Sequence, residues 1–291
     1  MSTGRTSGWW SRAFGRGRLL SEVAVGRANH FNLLRMLAAS GVILSHAFVV
    51  AGGPDAMQPL EQATGRDLGT LCVYVFFAIS GFFVAQSFDR APSLAAYLRA
   101  RALRLFPALS AMLVLTVLLG FAITDWLARE YWLAAVGYVL RNLTLVQTQA
   151  HLADIFTTLP LAGWVNGPIW TLFYEMLGYL GILFAGLAGA FRRPAYMVVA
   201  LRLFLVLYAV AMTPAFGIHQ TMGYRKEALF QFGLAFSIGT AAYVWRDRIR
   251  LDPVFLALPL AVLSWHLIEK PALALKQSPG AVVPEPEKHI A

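Results

Sequence analysis

Apolar residues in this chain fall into blocks about as long as a bilayer is thick. Residues 68–88, 105–124 and 228–245 carry no charge. The block 33–51 is interrupted only by Arg35 and His46, 169–191 only by Glu175, and 195–217 only by Arg202. Crossing a ~30 Å hydrocarbon core as helix takes about 20 such residues, so these blocks predict six transmembrane helices. Two weaker segments stand beside them: 132–147, which holds Arg141 and Asn142, and 254–268, which holds Pro259 and His266. The predicted fold class is all-α, a polytopic transmembrane helix bundle of about seven or eight membrane segments.

Composition agrees. Of the 291 residues, 58% are hydrophobic and only 13% charged, with a mean hydropathy of +0.61, where a soluble domain carries about a quarter charged residues. Cys72 is the only cysteine, so no disulfide scaffold within the chain is possible. The net charge of +9 lies between apolar blocks, where it sets orientation against anionic lipid rather than pointing to a nucleic-acid partner. No short apolar core and small-residue cleavage site precede residue 33, so the first span is expected to act as the anchor.

Arginine clusters concentrate on the cytoplasmic side. That rule places inside the basic N-terminus, the loop with Arg90, Arg99, Arg101 and Arg104, the pair Arg192/Arg193, and Arg246, Arg248 and Arg250. The second and third of these sites must be joined by an even number of crossings, yet three apolar segments lie between them. Residues 132–147 are therefore read as interfacial or re-entrant. The domain plan is a basic cytoplasmic segment (1–32), one transmembrane domain (33–271) and a disordered tail (272–291), in a plasma (bacterial inner) membrane with the N-terminus cytoplasmic.

Polar groups inside a span are costly, and each is a candidate site. Arg35 and His46 are eleven residues apart on one helix, three full turns, so they share a face about 16 Å apart along the axis. Position alone leaves His46 two readings, an interhelical hydrogen-bonding residue or a base. Arg101 and Arg104 are neighbours on one helical face at the inner mouth of the next span but one. They are either topology determinants or, with Arg35, the walls of a site for a multiply charged phosphate ligand. Glu175 has three possible roles: pairing with an arginine, orienting His46, or holding an acceptor hydroxyl. Ser80 and Gly81 in FFAISGFF suit close helix contact better than nucleophilic catalysis. His30, His151, His219 and His289 show no zinc-ligand spacing, and no phosphate-binding loop or dinucleotide fingerprint is present.

Four features recur in order: R-x10-H (Arg35 to His46), FFAISGF, R-x-x-R (Arg101, Arg104) and WTLFYE (Trp170 to Glu175), closed by SWHLIEKP at 264–271. This ordered set resembles the acyltransferase-3 family of membrane enzymes, which O-acylate sugars and other hydroxyl acceptors. The resemblance implies an acyl-CoA donor, most commonly acetyl-CoA, as substrate with no permanently bound cofactor or metal. Its phosphates would be met by Arg35, Arg101 and Arg104, with His46 as base and Glu175 as a second catalytic candidate. The acceptor would be a cell-envelope glycan or a similar hydroxyl compound. Family members have about ten spans, and a segment resembling S-Y-G-x-Y-x-x-H is missing near 252–260, so the chain reads as shortened near its C-terminus. Two other readings are a transporter or flippase for an envelope sugar or lipid-linked substrate, and a catalytically impaired truncated acyltransferase.

Overall fold

The computed structural model describes residues 18–24, 30–53, 55–124, 127–152, 155–156, 158–161, 163–211, 220–221 and 224–251. The weak segment 254–268, the closing motif and the tail lie outside the described residues.

Each of the six apolar blocks becomes a helix. A short turn, α1 (Leu20–Val23), precedes α2 (His30–Gly52); the small α3 (Pro59–Thr64) leads into α4 (Leu68–Asp89) and α5 (Leu94–Ile123). After α6 (Ala128–Leu143), a 3-10 turn at Gly167–Trp170 opens α7 (Thr171–Leu187), followed by α8 (Pro194–Ala211) and α9 (Lys226–Val244). By length and apolarity α2, α4, α5 and α7 with its 3-10 turn suffice to cross a membrane. Their outward side chains are those that lipid tolerates: Ile43, Leu119, Phe184 and others stand exposed.

Local chemistry sets the ends. Asp67 caps α4, its carboxylate accepting from the Thr70 N–H at 2.8 Å and the Thr70 hydroxyl at 2.6 Å. Burial alone would raise the Asp67 carboxyl, but these bonds and one from Ser45 outweigh it and leave it below its ordinary value. Ser93 caps α5 through the Ala96 N–H. The helix therefore starts at Leu94, eleven residues before the apolar block that marks it in sequence. Arg101 and Arg104 ride on the helix itself.

Contacts between helices give their directions. The start of α2 meets the end of α4, where Phe31 packs on Phe82 and Phe83. The end of α2 meets the start of α4, where Ser45 reaches Asp67 at 3.4 Å. These two are antiparallel. In contrast, α4 and α9 are parallel: Tyr74 donates to Gln231 (2.6 Å) near their starts, and Tyr243 donates to Asp89 (2.7 Å) at their ends. Between these bonds the backbones nearly touch. A Cβ on Gly81 would collide with the Phe236 carbonyl, and one on Gly239 with the Ala78 carbonyl. Tyr174 and Phe232 bind α7 parallel to α9, Tyr97 on α5 donates to the Tyr179 carbonyl of antiparallel α7 (2.8 Å), and Phe204 sets α8 antiparallel to α9 against Gly233.

Thus α2, α5 and α8 run one way and α4, α7 and α9 the other, alternating along the chain. The segment between α5 and α7 starts and finishes at the same end of the bundle, as the charge pattern requires. Its helix α6 is 16 residues long, shorter than a full crossing. It folds back along α5, burying Tyr131, Ala135 and Tyr138 against Leu113 and Val117. Buried Asn142 closes the reversal, donating to the carbonyls of Tyr138 (2.9 Å) and Gln149 (3.1 Å) and accepting the Gln149 N–H (2.9 Å).

One end of the bundle is strongly basic. Strand β1 (Arg18–Leu19) pairs antiparallel with β4 (Arg250–Leu251). That pairing brings Arg18 beside Arg246, Arg248 and Arg250, at the end that also carries Arg90, Arg99, Arg101, Arg104, Arg192 and Arg193. Beyond the far ends of the helices, strands β2 (Gln220–Thr221) and β3 (Tyr224–Arg225) form a small ribbon before α9.

Candidate active site

At the basic end three helices bring their charged side chains together. Arg35 of α2 lays its guanidinium over the Phe83 ring of α4, 4.8 Å from the centroid, and lies within electrostatic reach of Arg104, Glu175 and Tyr179. Arg101 of α5 donates to the Ser87 hydroxyl at 3.0 Å. Its guanidinium lies over two rings, 5.3 Å from the centroid of Tyr179 and 5.9 Å from that of Tyr97. The Arg101 Nε is buried without a partner, a donor left to spare in a site that is otherwise well bonded. Arg104, one turn further on, is exposed. Alongside opens a cleft of about 290 Å³, lined in part by Phe83, Ser87, Arg90 and Tyr97.

Glu175 belongs to this end. Its carboxylate accepts the Tyr179 hydroxyl at 2.5 Å, one helical turn along α7. The carboxylate has no arginine partner within 4.0 Å among the described residues.

His46 stands apart, toward the far end of α2, where α4 and the 3-10 turn begin. Its Nδ1 lies 2.9 Å from the Val42 carbonyl, one turn back on α2. A carbonyl only accepts, so Nδ1 is the donor in this bond, and in the neutral ring Nε2 is then the acceptor. The ring edge faces the start of the 3-10 turn: a Cβ on Gly167 would sit 3.5 Å from His46 Cδ2 and 3.4 Å from the Trp164 ring. Trp164 in turn meets His151 edge-on at 5.2 Å. On the neighbouring face of α2, buried Ser45 accepts from Gln58 Nε2 at 2.7 Å, and Gln58 Oε1 accepts the Leu68 N–H at 3.2 Å. This network fastens the α3 connection beside the histidine.

The structure brings Arg35, Arg101, Arg104 and Glu175 together and sets His46 apart from them. Of the three roles open to Glu175, orienting His46 does not fit. Gly167 abuts the histidine, and Glu175 is eight residues further along, roughly 12 Å down the axis. The Glu175 carboxylate is within electrostatic reach of Arg35 but forms no ion pair with an arginine among the described residues. Sequence reasoning missed Tyr179, Tyr97, Ser87 and Phe83. The signal for the first two is helical spacing, since Tyr179 is i+4 from Glu175 and Tyr97 is i−4 from Arg101.

Comparison with known proteins bears on the family. Residues 29–269 match the family described as an acyltransferase domain, acyltransferase-3. An O-acetyl transferase of Shigella phage Sf6 is 33% identical over 156 residues, and nodulation protein 10 of Rhizobium leguminosarum bv. viciae is 34% identical over 175. The matches cover 53% and 55% of this chain but 44% of each relative, so the chain spans less than half the length of either. No solved structure matches it.

Proposed function

The chain belongs to the acyltransferase-3 family, and from that membership we propose that it is a membrane O-acyltransferase. It moves an acyl group, acetyl in the first instance, from acyl-CoA to a hydroxyl of a cell-envelope glycan or similar acceptor. The observation that carries this reading is the division of labour along α2: Arg35 among the cations at one end, and some 16 Å further on His46, whose Nε2 bonds none of the described residues. Coenzyme A has the same division, phosphates at one end and a reactive thioester at the tip of a long arm. With the phosphates held by Arg35, Arg101 and Arg104, the arm runs along α2 toward the histidine.

At His46 the chemistry is general base catalysis. Nε2 takes the proton of the acceptor hydroxyl as its oxygen attacks the thioester carbonyl. The tetrahedral intermediate collapses by breaking the C–S bond, and the imidazolium returns its proton to the departing thiolate. The Val42 carbonyl holds the ring in the tautomer this requires. In this scheme the basic end faces the cytoplasm, the donor's compartment, in a bacterial inner membrane, and the acceptor approaches from the far side.

The test is transfer of labelled acetyl from acetyl-CoA to base-labile esters in membranes holding this chain, beside a His46→Ala variant of equal abundance. Label that depends on His46 is expected. Label unaffected by the substitution would remove His46 as the base, and absence of label from folded protein offered glycan acceptors would remove the activity.

A further inference from the structure

The basic end holds a carboxylate that ought to defeat it. Glu175 lies within electrostatic reach of Arg35, and a guanidinium and a carboxylate so placed ordinarily close into an ion pair. They do not here. The Glu175 carboxylate is occupied by the Tyr179 hydroxyl. The guanidinium groups are taken up by softer partners, Arg35 by the Phe83 ring and Arg101 by Ser87 and the rings of Tyr97 and Tyr179. These ring contacts orient a cation without neutralising it.

Tyr179 serves both sides of this arrangement. Its hydroxyl holds the anion and its ring flanks the cation. We propose that Tyr179 is a positioning residue that latches the Glu175 carboxylate away from the arginines, keeping their full charge open to the polyphosphate end of the donor. The inference rests on the functional reading above, because it assigns the arginines an anionic ligand.

A structural role for the hydroxyl can be told apart from this one. Tyr179 also joins α7 to α5, but through its backbone carbonyl, which accepts the Tyr97 hydroxyl at 2.8 Å. Tyr179→Phe keeps that contact and the ring, and removes only the latch. The freed carboxylate then swings to the nearest guanidinium and competes with phosphate for it.

The experiment measures binding of coenzyme A to the purified full chain in detergent by calorimetry, with KM for acetyl-CoA alongside. Tyr179→Phe is expected to weaken coenzyme A binding and raise KM on the order of tenfold, with kcat changed much less. In Tyr179→Phe/Glu175→Gln the competing charge is gone, and binding is expected to return to the wild-type strength. Equal weakening in the single and double variants would overturn the latch, and so would wild-type binding by Tyr179→Phe. Arg35→Ala separates the two ideas. If it weakens coenzyme A binding while Tyr179→Phe does not, the latch fails and the donor site stands; if it leaves binding unchanged, the donor site fails and the latch with it. Thermal unfolding of each variant identifies any loss that reflects misfolding, and recovery in the double variant is a result that misfolding does not produce.

Discussion

Replacing Gly81 with alanine tests the seam on which the arginine site is mounted. The added methyl would meet the carbonyl oxygen, carbonyl carbon and Cα of Phe236. All three are backbone atoms that cannot rotate away, so α4 and α9 must separate. The rings packed across that seam, Phe77 stacked on Phe232 at 4.6 Å and Phe82 edge-on to Tyr243 at 5.5 Å, then lose contact, and a gap of 0.5–1 Å forfeits about a quarter to a half of the attraction at each atom pair. Overpacking of this kind costs roughly 1–3 kcal/mol, set against a gain of about 1 kcal/mol that alanine brings to a helix over glycine. Gly137 on α6 supplies the control, since a Cβ there meets nothing within 4 Å; Gly137→Ala is expected to be neutral or stabilising. The lone cysteine provides the assay. Cys72 is partly buried beside Gly41 at the α2–α4 contact, so a thiol-reactive dye reports unfolding on heating in detergent. Gly81→Ala is expected to melt several degrees below Gly137→Ala. Equal melting points would refute the close backbone approach.

Other expectations concern charge. Because the folded-state Asp67 carboxyl lies below its ordinary value of 3.8, the cap contributes stability that is present above about pH 4 and lost as pH falls through the folded value. Melting curves between pH 6 and 3 should therefore decline less for Asp67→Asn than for the wild type, and parallel declines would contradict the assignment. Arg101→Lys keeps the charge but loses the planar group that lies over two rings while bonding Ser87. It is expected to raise the acetyl-CoA KM on the order of tenfold with kcat less affected; an unchanged KM would show that a point charge suffices there.

The apolar blocks identified six helices because crossing a bilayer leaves little freedom of composition. They misplaced the start of α5 because Leu94 to Arg104 is amphipathic and charged, and its beginning is marked by the Ser93 cap rather than by hydrophobicity. Charge parity was enough to set the α6 segment apart from the crossings. Helical periodicity placed Arg35 and His46 on one face and Arg101 beside Arg104, but it speaks only within a helix. Whether Glu175 faced the histidine or the arginines depended on how far α7 slides along α2. That offset is decided by the contact of His46 with Gly167, which no spacing within either helix reveals. Tyr179 escaped notice because an aromatic residue in an apolar helix carries no signal of its own until its partner is known.

The parallel pairing of α4 with α9 has a consequence for biogenesis. Helix α4 leaves the ribosome some 140 residues before its partner begins, and at about 5–20 residues per second the interval is roughly 7–30 s. Throughout that time the newly inserted α4 presents the Tyr74 hydroxyl and the Asp89 carboxylate to lipid or to the insertion machinery, with Gln231 and Tyr243 not yet made. Nascent chains arrested before α9 therefore expose a polar, glycine-notched face of α4 at the bilayer.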